Sequence, residues 1–390
     1  MNTFTCLALA LCVGLVFSRL ARLVHLPNVT AYLVGGLLMG PFALRLLSPE
    51  MVQSFGVITE AALGFIAYSI GTEFRGENLR KIGVRPVIIT VFQGMMAVLL
   101  VDVGLIALGF DVPMALMLGA IATATAPAAT LMVVRQYKAH GPVTDILLPV
   151  VAMDDALGLM IFSISTAVAR GWAGSDAMSV RSMLLVPLVE IFGSLGLGLA
   201  LGLVLTCASR FFHSRGNKLA LSIMAVFAGV GLCGMWGLSS LLVCMMIGAV
   251  MVNLCGDRAV LMEQCDRFTP PLFLLFFVIS GAELDLAVLP TVGLLGVAYL
   301  VLRSVGKWSG ALLGATVVHA QENVRKYLGL TLLPQAGVAI GMAQMAMQQL
   351  PGYGAQIRAV VLAATLVYEL VGPLATKIAL TRAGEITGKA

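Results

Sequence analysis

Apolar stretches of about 20 residues recur along this chain from Thr3 to Leu380. Each is long enough to cross a hydrocarbon layer ~30 Å thick. Of the 390 residues, 59% are hydrophobic and 11% are charged, whereas a soluble protein carries about 25% charged residues. Backbone groups in lipid must be hydrogen-bonded within their own segment, which favours helices. The sequence therefore predicts an all-α polytopic membrane protein with a single integral domain over residues 1–390.

The basic residues alternate sharply between successive connections. One side of the predicted membrane collects 18 Lys and Arg residues and the other side collects 4. Because basic loops stay cytoplasmic, the richer side is predicted to face the cytoplasm, and the net charge of +5 needs no nucleic-acid partner. An odd number of spans places the N-terminus outside and the C-terminus inside. The thirteen predicted spans cover residues 3–18, 28–47, 51–71, 86–109, 112–134, 145–169, 182–209, 219–234, 237–254, 270–287, 290–318, 327–349 and 358–380.

Two pairs of short motifs indicate an internal repeat. Gly71 in "FIAYSIGTEF" and Gly281 in "LFFVISGAEL" are 210 positions apart. Pro127 in "TATAPAAT" and Pro334 in "LLPQAGVAIG" are 207 positions apart. Both offsets correspond to seven spans, so the matching elements run in opposite directions through the membrane. Such inverted repeats are typical of secondary transporters. The predicted repeats cover roughly residues 1–170 and 219–380 and are linked by the span 182–209.

The paired prolines predict two broken helices that cross near the middle of the membrane. Pro127, and Pro334 with Gln335 after it, would mark the breaks, where loosened backbone can coordinate a cation. Thr123 and Thr125 beside the first break supply hydroxyl and carbonyl oxygens. The alternative is that each proline only kinks its helix.

Charged residues lie near the middle of two predicted spans. Asp154 and Asp155 are central in span six, where an ionised group costs at least ~2.5 kcal/mol and normally marks a transport pathway. Adjacent residues on a helix point about 100° apart, so one carboxylate can face a cavity while the other reaches a neighbouring helix. Lys307 in span eleven offers a compensating charge, and Arg303 shares its helix face. The alternative is a buried ion pair that only holds helices together.

Two further acidic residues are secondary candidates for proton relay. Glu369 lies in span thirteen, the repeat mate of span six, and Glu60 lies in span three. A structural role as a hydrogen-bonding partner is the alternative for each.

Several of these segments resemble the monovalent cation:proton antiporter superfamily, most closely the bacterial sodium/proton antiporters with a paired-aspartate motif. "LPNVTAYLVGGLLMGP" is similar to the family's second span and "ITEAALGFIAYSIGTEF", which contains Glu60, to its third. "GAIATATAPAAT" resembles the broken helix that precedes the aspartates. "MDDALGL" resembles the ion-site motif, and "GKWSGALLGA" the span that carries a buried lysine.

The resemblance implies a homodimer in which a six-helix core moves against a dimerisation scaffold by an elevator-like motion. It implies that Asp155 is the main carrier of cation and proton. Asp154 would pair with Lys307, the family's basic residue, and assist binding. Exchange would be electrogenic, with two protons for one sodium, in a bacterial cytoplasmic (inner) membrane.

The sequence departs from this family pattern at two places. Span twelve reads "PQAGVAIG", where many relatives have an arginine and a glutamate after the proline. Arg303, one turn from Lys307, is also unusual, and it could hold Asp154 permanently and so change the stoichiometry.

These observations predict a transporter rather than an enzyme, with no cofactor beyond the transported ions. The expected activity is sodium/proton antiport by alternating access with a role in pH homeostasis, and membrane lipid and a second copy of the chain are the expected partners. A potassium/proton antiporter would use the same residues. A sodium-coupled organic solute carrier on the same architecture would need a larger, more polar cavity, and paired broken helices disfavour a channel or sensor.

Overall fold

The computed structural model describes residues 2–23, 26–72, 74–76, 83–172, 180–284 and 292–386. These residues form sixteen helices, α1 to α16, and no strand. The predicted all-α class is confirmed.

Eight of the helical segments are long and apolar enough to cross a membrane. The count of thirteen spans remains a prediction. Four further apolar helices have only 10–17 residues. In another helix, Gly293–Val317, the charged residues Arg303 and Lys307 lower the hydropathy. The eight segments are Thr3–Ala21, Arg85–Ala107, Val112–Tyr137, Pro142–Trp172, Leu188–Ala208, Arg215–Trp236, Arg258–Ala282 and Pro351–Arg382.

The chain divides into two compact units. Unit 1 comprises Met1–Val24, Ala31–Lys81 and Leu188–Glu283. Unit 2 comprises His25–Thr30, Ile82–Pro187 and Leu284–Ala390. Each unit therefore draws on both halves of the sequence, and the predicted assignment of residues 1–390 to a single domain stays a prediction.

Unit 1 contains most of eight helices and two matching close crossings. Gly71 packs against the backbone of Met245, and Gly281 packs against the backbone of Leu33. A side chain at either glycine would overlap a carbonyl oxygen of the neighbouring helix, so both repeat-related glycines allow two helices to approach closely. The helices are α1 (Thr3–Leu23), α2 (Asn28–Met39), α3 (Pro49–Ser54), α4 (Gly56–Gly71), α9 (Val180–Ala208), α10 (Arg215–Trp236), α11 (Ser240–Leu254) and α12 (Arg258–Ala282).

Unit 2 contains the remaining helices and both of the predicted breaks. Pro127 and Pro334 lie at the breaks, so spans five and twelve each consist of two short helices. The helices are α5 (Arg85–Ala107), α6 (Val112–Ala122), α7 (Pro127–Tyr137), α8 (Pro142–Trp172), α13 (Gly293–Val317), α14 (Glu322–Thr331), α15 (Gly337–Gln349) and α16 (Pro351–Arg382).

The first break has a local cause. A residue before proline is disfavoured in the helical region, and Ala126 has φ −80° and ψ 108°. Pro127 then begins α7, because its missing N–H costs nothing in a first helical turn. The two breaks meet directly, since the amide of Ala126 donates to the carbonyl of Pro334 at 2.8 Å.

Glycines on one face of α13 allow it to pack closely against α5. Gly306, Gly310 and Gly314 are spaced four residues apart, and each lies against the backbone of α5. A methyl group on Gly310 would lie 2.6 Å from the Cα of Gln93. This close approach brings α5 side chains to the site described below.

Replacing Gly310 by alanine is expected to destabilise the protein by about 1–3 kcal/mol, because overpacking forces the two helices apart. Gly341→Ala on α15 is the matched control, since nothing lies within 4 Å of its position. There the better helix propensity of alanine should leave stability unchanged or raise it by up to about 1 kcal/mol. Thermal unfolding of the purified variants measures both, and equal melting temperatures would contradict the packing argument.

The segment after α16 caps the first turn of α8. The carboxylate of Glu385 accepts hydrogen bonds from the amides of Val143 at 2.6 Å and Thr144 at 2.9 Å, and from the Thr144 hydroxyl at 2.7 Å. A carboxylate at a helix N-terminus accepts hydrogen bonds from free N–H groups and interacts favourably with the positive end of the helix dipole. The end of α16 and the start of α8 are therefore held side by side.

Candidate functional site

Asp154 on α8 is fully buried and its carboxylate is surrounded by donors. Its Oδ2 accepts hydrogen bonds from the Thr125 hydroxyl at 2.6 Å and from Lys307 Nζ at 3.1 Å. Its Oδ1 accepts one from Gln93 Nε2. These donors satisfy both carboxylate oxygens and hold the side chain of Asp154 in place at the first break.

Lys307 uses all three of its N–H groups in this cluster. Its ammonium donates to Asp154, to the hydroxyl of Thr125 at 2.9 Å and to the backbone carbonyl of Thr123. Lys307 is fully buried, like its partner. The resulting ion pair places one positive charge at the C-terminal end of α6, where the helix dipole is negative.

Asp155 has a different environment from its neighbour. It is 6% exposed, and its Oδ1 is buried without a hydrogen-bond partner among the described residues. Its side chain points about 100° away from that of Asp154. The oxygens of Asp154 already accept hydrogen bonds from Gln93, Thr125 and Lys307. Within the described cluster, Asp155 is thus the aspartate with an oxygen available to bind a proton or a cation.

The threonines beside the break contribute unequally. Thr125 bridges the ion pair, because its hydroxyl donates to Asp154 and accepts from Lys307. The hydroxyl of Thr123 donates to the carbonyl of Ala120 at 2.6 Å. Thr123 also packs against Gly158, one turn beyond Asp155 on α8, so its hydroxyl oxygen keeps lone pairs on that side of the helix.

Arg303 does not hold Asp154, contrary to the possibility raised by the sequence. Its guanidinium donates to backbone carbonyls and stacks on the ring of Tyr368, with 4.4 Å to the ring centroid. The planar fork of an arginine suits several carbonyls in one plane better than a single carboxylate already bound to lysine. The acceptors are Ala122 at 3.1 Å, Ala124 at 2.6 Å and Leu333 at 2.8 Å.

The C-terminal end of α6 depends on side chains for its last carbonyls. A helix end leaves such carbonyls without partners within the helix, and here three side chains supply the donors. Two of those side chains are positively charged, so they offset the negative end of the helix dipole and the charge of the nearby carboxylates. The pairs are Ile121 with Gln335, Ala122 and Ala124 with Arg303, and Thr123 with Lys307.

Replacing Arg303 by lysine is expected to destabilise the crossing by about 1–3 kcal/mol, because an ammonium cannot reach all three carbonyls. Arg358→Lys, on the exposed surface of α16, is the matched control and should leave the melting temperature unchanged. Thermal unfolding of the purified proteins provides the measurement. Equal melting temperatures for R303K and the wild type would show that the guanidinium fork is not needed.

Sequence analysis missed three residues of this site. Gln93 on α5 binds Asp154, Tyr299 exchanges hydrogen bonds with Gln335 at 2.9 and 3.4 Å, and Tyr368 supports Arg303. Gln93 could have been found as an amide within an apolar span, since such groups need a partner in lipid. The tyrosines carry no comparable sequence signal.

The two secondary acidic candidates lie in different surroundings. Glu369 on α16 belongs to unit 2, as the site does, and is 5% exposed. Glu60 on α4 belongs to unit 1 and is exposed. The proposed relay roles of both residues stay predictions.

Comparison with known proteins identifies the family. The family described as "Sodium/hydrogen exchanger, transmembrane" matches residues 7–382. A curated relative, the high-affinity Na(+)/H(+) antiporter NhaS3 of Synechocystis sp., is 26% identical over 365 residues, which cover 82% of this chain and 77% of the relative.

Solved structures of the sodium proton antiporter MjNhaP1 from Methanocaldococcus jannaschii have the same fold. The structure at pH 8 has a TM-score of 0.69 at 19% identity and covers 98% of this chain and 96% of that one. An electron-microscopy structure has a TM-score of 0.75 at 19% identity and covers 97% and 94%. Because the family match extends over nearly the whole chain, this protein belongs to the sodium/hydrogen exchanger family.

Proposed function

We propose that this protein exchanges sodium for protons across a membrane by alternating access. The observation that carries the proposal is the environment of Asp155, whose buried Oδ1 has no hydrogen-bond partner among the described residues. It lies beside the fixed pair of Asp154 and Lys307 and next to the helix break. A free carboxylate oxygen at such a break can bind either a proton or a hard cation.

Competition for this one carboxylate couples the two ions. A proton on Asp155 removes the negative charge that would bind sodium, and bound sodium stabilises the charge and repels the proton. Carboxylate oxygen from Asp155 and hydroxyl oxygen from Thr123 are ligands that suit a hard cation. When the site opens to one side of the membrane it releases sodium and binds a proton, and when it opens to the other side it releases the proton and binds sodium.

The fixed pair has a second role in the proposal. Lys307 donates to the carboxylate of Asp154 and offsets its charge. The proton and the cation therefore compete for Asp155 and not for both aspartates. Electrogenic exchange of two protons for one sodium would require a second proton-carrying group besides Asp155, because one carboxylate holds one proton. Because Arg303 binds backbone carbonyls, it leaves the pairing of Lys307 with Asp154 undisturbed.

The surroundings of the protein are part of the same proposal. The concentration of 18 basic residues on one side of the membrane against 4 on the other supports an extracellular N-terminus and a cytoplasmic C-terminus. We further propose a homodimer in a bacterial cytoplasmic membrane, in which unit 2 carries the site in an elevator-like motion and the exchange serves pH homeostasis.

Purified protein in liposomes that contain a pH-sensitive dye tests the function. With an acidic interior, added sodium should restore the dye fluorescence as protons leave, and protein-free liposomes should show no change. Sodium, lithium and potassium are compared at equal concentration. A response to potassium alone would establish the potassium/proton alternative, and no response to any of the three would overturn the proposal.

A further inference from the structure

Glu369 is a buried carboxyl group that the site described above does not use. It is 5% exposed on α16 and makes no hydrogen bond or ion pair with the described part of the chain. An ionised carboxylate within the membrane costs at least ~2.5 kcal/mol unless a partner offsets its charge. Glu369 therefore needs a bound proton or a bound cation to neutralise its charge.

Two threonines on the same face of α16 carry unused hydroxyls. Thr365 lies four positions before Glu369 and Thr376 lies seven positions after it, so the three share one helix face. Both hydroxyls are buried without a partner among the described residues. Several helical threonines donate to the carbonyl four residues earlier, as Thr166 does to Phe162 at 2.7 Å. Thr365 and Thr376 do not, and neither do Thr30, Thr59 and Thr269.

This face of α16 is turned toward the second break. Gly372, three positions after Glu369, packs so closely on Pro334 that an added methyl group would lie 2.7 Å from the ring. Glu369 is thus one helical turn from the break in α14–α15, as Asp155 is close to the break in α6–α7.

The two carboxyl groups lie equally many residues along their helices from two ends that are in contact. Asp155 is thirteen positions after Pro142, the first residue of α8, and Glu369 is thirteen positions before Arg382, the last residue of α16. At 1.5 Å per residue both are about 20 Å from those helix ends. Glu385 binds the first turn of α8 directly, so the two ends are side by side.

No charged side chain among the described residues offsets Glu369. Of the helices that pack against α16, α6 and α15 carry no charged residue. On α13, Lys307 binds the first break and Arg303 donates to backbone carbonyls at both breaks. The nearest charged residues on α16 itself are about two and three turns away. The charged residues on the packed helices and on α16 that do not contact Glu369 are Arg135, Arg303, Lys307, Glu322, Arg325, Lys326, Arg358, Lys377 and Arg382.

A proton fits this group better than sodium does. A dehydrated sodium ion needs several oxygen ligands around one point, but Thr365 and Thr376 lie about 6 and 10 Å from Glu369 along the helix axis. One proton neutralises the carboxyl without any further ligand.

We propose that Glu369 is a second proton-carrying carboxyl of the exchanger, protonated in this conformation, with its proton released to water when the second break opens. The proposal rests on the proposed function, because it assigns Glu369 to the proton branch of the exchange. It adds a carrier besides Asp155 that holds a proton and no cation.

Infrared spectroscopy of the purified protein in lipid tests the protonation directly. The C=O stretch of a protonated glutamate, identified by its shift when glutamate is labelled with carbon-13, should be present at neutral pH and should be lost in Glu369→Gln. Glu322→Gln is the matched control, because exposed Glu322 is ion-paired with Lys326 at 2.5 Å, and it should leave the band unchanged.

Three outcomes are decisive. The proposal is overturned if labelling of glutamate does not move the band, or if the band persists in E369Q. The labelling experiment uses wild-type protein and does not depend on the folding of the variant. A band that saturating sodium removes would also overturn it, because the occupant would then be a cation. Failure of sodium-driven proton movement with the Glu369 band intact would instead contradict the proposed function.

Discussion

Replacing Asp155 by asparagine is expected to reduce sodium-driven proton movement to the level of protein-free liposomes. Asparagine is nearly the same size but cannot take up a proton or balance the charge of a cation. The folded state should not suffer, because the substitution removes a negative charge beside Asp154 and Asp155 makes no ion pair among the described residues. The melting temperature of D155N should therefore equal or exceed that of the wild type.

Asp111→Asn is the matched control for this result. Asp111 is an exposed residue of unit 2 that precedes α6, and its side chain makes no capping hydrogen bond. D111N should transport like the wild type under the same pH gradient. Normal transport by D155N would remove Asp155 from the mechanism, and a large drop in its melting temperature would show that Asp155 supports the fold.

The positions of the breaks could be predicted because their causes are local. Proline disfavours the helical conformation of the preceding residue and removes a backbone donor, and Pro127 and Pro334 act in this way wherever the helices lie. That Lys307 would offset the charge of the aspartates also followed from a general constraint, since opposite charges in apolar spans need each other in lipid; the choice of Asp154 as its partner was implied by the family resemblance. Both inferences needed no knowledge of the packing.

The partners of Arg303 could not be predicted, because they are backbone carbonyls. Ala122, Ala124 and Leu333 offer no side-chain chemistry that a sequence pattern could reveal, and their carbonyls are free only because two helices end there. Gln93 depends in the same way on the close packing of α5 and α13. Contacts made by the backbone, or created by tertiary packing, therefore decided the residues that sequence analysis missed.

The lengths of the helices within the predicted spans could not be predicted for a related reason. The apolar run 51–71 folds as two helices, Pro49–Ser54 and Gly56–Gly71, and the run 28–47 contains a helix of only 12 residues. Hydropathy measures the length of an apolar run, whereas the helix ends where backbone geometry ends it. Composition alone therefore overstates the helical length of these spans.

Replacing Lys307 by methionine is expected to lower the stability of the protein by about 3–5 kcal/mol, because it leaves Asp154 as a buried charge without its counter-ion. Lys326→Met is the matched control, since Lys326 forms an exposed ion pair with Glu322. Such an exposed surface pair contributes little to stability. Melting temperatures of the two variants measure the difference.

The double variant Asp154→Asn with Lys307→Met separates the fold from the transport mechanism. It removes both charges, so most of the stability lost in K307M should return, because a buried ion pair contributes little net stability over a neutral pair. If the double variant is no more stable than K307M, the ion pair does not explain the loss. A double variant that is stable but transports no sodium would mean that the charges of Asp154 and Lys307 are needed for the exchange, since the fold can form without them.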